Sequence, residues 1–117
     1  DPEMSRGLGD VYKRQVLRNL ISNAVKYAPP GKAVKLRAFS EKRRVVVEVF
    51  NEGPPVAERD LPYLWDAFYR AEESRTRENG GSGMGLAIVK AVLDQHRARY
   101  GVYNKSGGVY FWFSLPS

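Results

Sequence analysis

Two groups of residues in this chain have types and spacings that could do chemistry. The first is Asn19 and Asn23, with Lys26 one turn further on, in "QVLRNLISNAVKYAPPG". Asparagine is a poor helix former and prefers caps and turns. Two asparagines one helical turn apart could present their amide oxygens together to a hard cation, with Lys26 meeting its anionic partner. A plain polar helix face is the other reading. The second group is "NGGSGMGLAIVKAVLDQH", residues 79–96, where Gly80, Gly81, Gly83 and Gly85 run directly into an amphipathic pattern. Glycine lets backbone approach a ligand closely, and a helix N-terminus offers unpaired N–H groups and partial positive charge to an anion. A flexible joint ahead of a helix is the alternative. Two familiar phosphate loops are excluded. The chain has no Gly-x-x-x-x-Gly-Lys-Ser/Thr. The charged stretch "RAEESRTRE" ahead of the glycines is no strand, so the dinucleotide fingerprint fails as well.

The elements that must hold these groups can be read from periodicity. Leu17, Leu20, Ile21, Ala24 and Ala28 share one face of a helix stopped by Pro29-Pro30-Gly31, and Asn19, Asn23 and Lys26 take the opposite face. "AVKLRAF" and "RVVVEVF" alternate across the turn "SEKR". They predict a hairpin with Val34, Leu36, Val45, Val47 and Val49 inward. After the loop "NEGPPVAERD", the stretch "LPYLWDAFYRAEESR" predicts a short apolar-aromatic helix. In the second long helix, Met84, Ile88, Ala91 and Gln95 form one row and Leu86, Val89 and Leu93 the next. "YGVYN" and "GVYFWFSLP" close the chain as a hairpin around Lys105-Ser106-Gly107-Gly108. The expected fold is a two-layer α/β sandwich, with helices on one face of a mixed, mostly antiparallel sheet.

The bulk numbers narrow the function. The chain has 117 residues, enough for one domain with a core. It contains no cysteine and one histidine, so disulfides and thiolate or zinc clusters are out, and a metal would need oxygen ligands, as Mg²⁺ does. The net charge of +6 comes from scattered bases such as Lys32, Lys35, Arg37 and Lys42–Arg44. No basic helix with interleaved aromatics appears, so nucleic acid is not the expected partner.

Four boxes then stand in order over residues 16–117: "LRNLISNAVKYAP", "FNEGPPV", "LWDAFYRAEESR" and "GGSGMGLAIVK". With them the chain resembles the catalytic ATP-binding domain of bacterial sensor histidine kinases, the Bergerat-fold superfamily shared with gyrase, the Hsp90 chaperone and MutL. Its ending resembles Gram-positive sensors, including relatives of the vancomycin-resistance sensors. The resemblance implies ATP and Mg²⁺ as cofactors. It implies that Asn19 and Asn23 coordinate the metal, that Lys26 lies near phosphate and that Tyr27 lines the pocket. Asn51 would face the adenine amine and Gly53 would lie beneath the base. Phe68, Tyr69 and Arg70 would anchor a lid over the nucleotide. Gly81, Gly83, Met84, Gly85 and Leu86 would form its phosphate-binding end, with Arg75 and Arg77 as further phosphate contacts. Partners implied are a dimerisation domain carrying the phosphoacceptor histidine, in a homodimeric parent, and a response regulator. The parent would be membrane-anchored with this domain in the cytoplasm.

There are departures from the family pattern. Asn51 stands where Asp is usual, Pro55 where a second glycine is common, and Met84 where Leu is usual. His96, near the end of the second helix, is expected to be a partly exposed or capping residue and no phosphoacceptor. Residues 5–15, "SRGLGDVYKRQ", resemble the in-frame translation of a sequencing adapter, so residues 1–15 are expected to be non-native and the domain to be truncated at its N-terminus. The fragment alone is then expected not to phosphorylate itself. Two rivals share parts of the pattern: a serine kinase of the anti-sigma-factor type, and a non-catalytic nucleotide-binding or docking module.

Overall fold

A computed structural model describes residues 10–66, 85–105 and 107–116. In chain order these form α1 (Asp10–Tyr27), β1 (Val34–Glu41), β2 (Arg44–Glu52), a 3₁₀ turn (Leu61–Tyr63), α2 (Gly85–Gln95), β3 (Arg99–Lys105) and β4 (Gly108–Pro116). The four strands make one sheet in the order β1-β2-β4-β3, and all three pairings are antiparallel. The mixed sheet expected from the sequence is therefore antiparallel throughout the described residues. Of the helix expected in "LPYLWDAFYRAEESR", a single 3₁₀ turn with proline in its first positions is described, followed by turn and bend to Asp66.

One face of the sheet packs on both helices. Val49 of β2 and Val109, Phe111, Phe113 and Leu115 of β4 meet Val16, Leu20 and Ala24 of α1 and Val89, Val92 and Leu93 of α2. Trp65 closes this core, its indole 5.7 Å edge-on from Phe111 and 5.0 Å from Tyr100. Side chains alternate along a strand, so Asn51 lies on the same helix-covered face as Val49.

The core face of α1 differs in phase from the expected one. The buried row is Val16, Leu20 and Ala24, while Ile21 is half-buried and Val25 is 60% exposed. That rotates the packed face by roughly 60° at about 100° per residue. The cause is double packing: α1 rests on β2 and on α2 together. In α2 the row Leu86, Val89, Leu93 faces the core, and Ile88 is 37% exposed. Leu36, expected inward, is 54% exposed because β1 is an edge strand that the helices do not cover at that point.

The first hairpin turns through Lys42 and Arg43, both at positive φ (51° and 64°). Two-residue hairpins use such primed turns because their twist matches the strands, and Asn-Gly suits them far better than Lys-Arg. The pair Lys42→Asn and Arg43→Gly is expected to stabilise the fold by about 1 kcal/mol. Thermal melting should show this as a rise of several degrees; an unchanged or lowered midpoint would contradict it. Arg97, φ 56°, ends α2 in the same left-handed region, with Ala98 N–H donating to Leu93 O at 3.1 Å and Arg97 N–H to Asp94 O at 3.4 Å. This is a Schellman C-cap with arginine where glycine is commonest.

Candidate functional site

The rotated α1 changes where the asparagines sit. Asn19 and Asn23 are half-buried on the flank of the packed face, and Lys26 beyond them is exposed. They are not diametrically opposite the core, as a simple amphipathic wheel predicts. Tyr27, the last residue of α1, is half-buried.

Asn51, near the end of β2, is 7% exposed, and no hydrogen bond joins its side-chain amide to another described residue. The polar atoms of its amide are not sealed from solvent, so the group can turn to a ligand on the helix face. Two residues on, Gly53 has φ 153°, and a Cβ there would lie 3.0 Å from Pro29 Cδ. Only glycine serves both demands. Gly53 N–H donates to Gly107 O at 3.0 Å. The end of α1, the end of β2 and the β3–β4 turn thus converge at one edge of the sandwich.

What holds this loop was not singled out from the sequence. Asn104 of β3 accepts from Val56 N–H through Oδ1 at 3.0 Å and donates from Nδ2 to Val56 O at 2.8 Å. Its side chain clasps the loop like a neighbouring strand. In the sequence it shows only as a single asparagine ahead of Lys105-Ser106-Gly107-Gly108, with nothing to tie it to the loop. Glu52 Oε1 adds a bond from Ala33 N–H at 2.9 Å. Asn104→Ala breaks both bonds to Val56 at a cost of about 1–3 kcal/mol. The Val56 amide should then exchange with deuterium at least tenfold faster; unchanged protection there would mean that the clasp does not hold the loop.

α2 presents its first turn from the opposite side. The side chain of Leu86 packs against the core, so it braces the helix start and leaves only its backbone for a ligand. Lys90 Nζ reaches Asp66 Oδ1 at 3.3 Å, an exposed pair worth little in stability. His96 ends the helix with Nδ1 2.8 Å from Val92 O, its ring 5.6 Å from that of Tyr12. It is half-buried and held as a cap. Phe68, Tyr69, Arg70, Arg75, Arg77, Gly81, Gly83 and Met84 lie outside the described residues, and Gly85 is the first residue of α2. Among the described residues no cluster of three or more His, Cys, Asp or Glu could hold a metal. No helix among them is long and apolar enough to cross a membrane.

An antiparallel sheet beneath two helices, with a conformationally demanding glycine near a little-exposed asparagine, makes this an α/β sandwich. The chain belongs to the family of histidine kinase-, DNA gyrase B- and HSP90-like ATPases, matched over residues 11–117. It is 44% identical to the sensor histidine kinase CusS of Escherichia coli O157:H7 over 103 residues, 88% of this chain and 21% of that protein. It is 37% identical to the sensor protein VanSB of Enterococcus faecalis over 103 residues, 88% of this chain and 23% of that one. Among solved structures, the mycobacterial sensor histidine kinase MprB superposes with a TM-score of 0.82 at 26% identity, covering 94% of this chain and 76% of that one. Full-length ShkA, solved in complex with AMPPNP, gives 0.74 at 33% identity, over 90% of this chain and 21% of that one. The chain spans about a fifth of the length of the curated relatives it matches.

Proposed function

We propose that the chain is the ATP-binding catalytic domain of a sensor histidine kinase, and that ATP binds where α1, the end of β2 and the start of α2 converge. The single observation that carries this is Asn51: a residue only 7% exposed whose amide pairs with no described residue, on the helix face near Gly53. The family supports ATP as the nucleotide, and the AMPPNP bound by ShkA supports the same kind of ligand.

In this reading the Asn51 amide meets the adenine edge and Gly53 lets the base approach the backbone. Tyr27 lines the pocket and Lys26 lies near phosphate. Asn19 and Asn23 fit a hard cation: their amide oxygens are a turn apart on one helix flank, half out of solvent. Mg²⁺ bound there supplies charge neutralisation for the triphosphate. Gly81, Gly83, Met84, Gly85 and Leu86 supply backbone N–H groups to phosphate at the start of α2. Phe68, Tyr69 and Arg70 anchor the lid, with Arg75 and Arg77 as further phosphate contacts. The γ-phosphoryl group passes to a histidine on a dimerisation domain of the homodimeric parent and then to a response regulator. This domain's part is positioning and electrostatics. The parent is anchored in the membrane with this domain on the cytoplasmic side, and the domain proper runs over residues 16–117.

The chain brings no acceptor: His96 is tied to Val92 O at the end of α2. Incubated alone with γ-labelled ATP, it should take up no acid-labile phosphate, whereas the full-length parent should. Label on the chain alone that disappears in His96→Ala would overturn the assignment of roles. Labelling of the parent on serine would favour the anti-sigma-factor type. A parent that binds ATP and transfers nothing would mark a non-catalytic module.

A further inference from the structure

The sheet has a second face, turned away from both helices, which the nucleotide reading leaves unused. It carries a groove of about 370 Å³ whose walls include Phe39, Arg44, Glu48, Arg99, Tyr103 and Trp112. Its parts are fixed. The indole of Trp112 lies over Gly101, where a Cβ would sit 2.8 Å from Nε1 and 3.0 Å from Cε2, so any larger residue there would push the indole off its seat. Arg44 is held flat by Nε donating to Ser114 Oγ and Nη2 to Ser114 O, both at 2.9 Å. Those bonds use only part of a guanidinium's five donors. Tyr103 stacks on Tyr110 with centroids 4.9 Å apart and planes 4° from parallel.

The charges in the groove do not balance. Glu48, 6% exposed, is the acid of its floor, and it is already matched. Arg37 donates to its Oε1 from Nε at 3.1 Å and Nη2 at 2.9 Å, and Tyr103 O–H donates to its Oε2 at 2.8 Å. Burial, and then that bond to Glu48, push the Tyr103 hydroxyl up to about 12, so it remains a donor at neutral pH. At the rim, Lys42, Arg44 and Arg99 form no ion pair with a described carboxylate, and the one acid beside them is Glu41. A pre-oriented guanidinium with free donors suits a carboxylate, and aromatic walls suit a ring.

We propose that this face docks an acidic peptide segment of a partner protein, its carboxylates taken by Arg44 and Arg99 and an aromatic side chain seated between Phe39 and Trp112. The proposal stands apart from the ATP site. A nucleic-acid strand fits less well: Tyr103 and Tyr110 cover each other's faces, which leaves them no open ring on which a base could stack. A fluorescein-labelled Glu-Glu-Phe-Glu-Glu peptide titrated into the 117-residue chain should bind saturably and weaken with added salt. The glutamine version should bind at least tenfold more weakly. So should Arg99→Ala, an exposed position whose replacement leaves the melting midpoint in place, and Arg44→Ala. Gly101→Val should impair binding by moving Trp112; if it fails to fold, Phe39→Ala replaces it. Equal binding of the glutamine peptide, unchanged affinity in Arg99→Ala, or tighter binding of an oligothymidylate or anionic vesicles than of the acidic peptide would overturn the proposal.

Discussion

Replacing Asn23 with alanine is expected to remove most of the Mg²⁺ dependence of ATP binding. Asn23 sits on the flank of α1, half-buried between the core row of Leu20 and Ala24 and the exposed Lys26. Alanine keeps the helix, since it is the best helix former, and deletes only the amide. Metal sites lose about 10–100-fold in affinity when even a supporting group is removed, so loss of a direct ligand should reach the upper end of that range. The measurement is a pair of calorimetric titrations, in Mg²⁺ and in EDTA, on the wild-type chain and the variant. If the Mg²⁺–ATP isotherm of Asn23→Ala equals that of wild type, the asparagine pair does not hold the metal.

The second large effect is expected at Asn51. A carboxylate there accepts from the adenine amine and cannot donate. An amide can rotate and offer N–H₂ to the carbonyl that guanine carries at the same position. The site should therefore separate ATP from GTP less sharply than an aspartate site. A buried mismatched polar contact costs about 1–3 kcal/mol, so Asn51→Asp should widen the ATP preference by up to roughly two orders of magnitude. Burial makes the full penalty relevant, because a residue 7% exposed has little water to fall back on. Competition binding with both nucleotides measures the ratio; identical ratios in the two proteins would show that Asn51 does not read the base.

Much of the fold was legible in the sequence because each element carries its own period. The alternation in "RVVVEVF" marks which residues of that strand face the helices, and Val49 is where the alternation puts it; in "GVYFWFSLP" both alternating sets are largely apolar, so its inner face shows only in the structure. The phase of α1 was harder to read. Its apolar residues spread from Val16 round to Val25, so counting them places the core row off by more than half a residue's rotation. Contact with β2 and α2 together selects Val16, Leu20 and Ala24. Leu36 looked inward by the same alternation that serves Val49, but alternation says nothing about which strand lies at an edge. Asn104 and the open-face groove escaped notice for a related reason. The clasp joins residues 48 apart in sequence, and the groove assembles side chains from all four strands. Asn51 and Gly53 were accessible because they lie together in "FNEGPPV", a short stretch whose resemblance to a family glycine box can be read without the fold.

The central claim is that ATP sits on the helix-covered side, where α1 ends and β2 runs into its glycine loop. Hydrogen–deuterium exchange of the chain with and without Mg²⁺–ATP tests it most directly. The account predicts slowed exchange in residues 19–28 and 51–56, with the Lys42–Arg43 turn unchanged. Protection confined to that turn, or no change at either segment at saturating nucleotide, would contradict it.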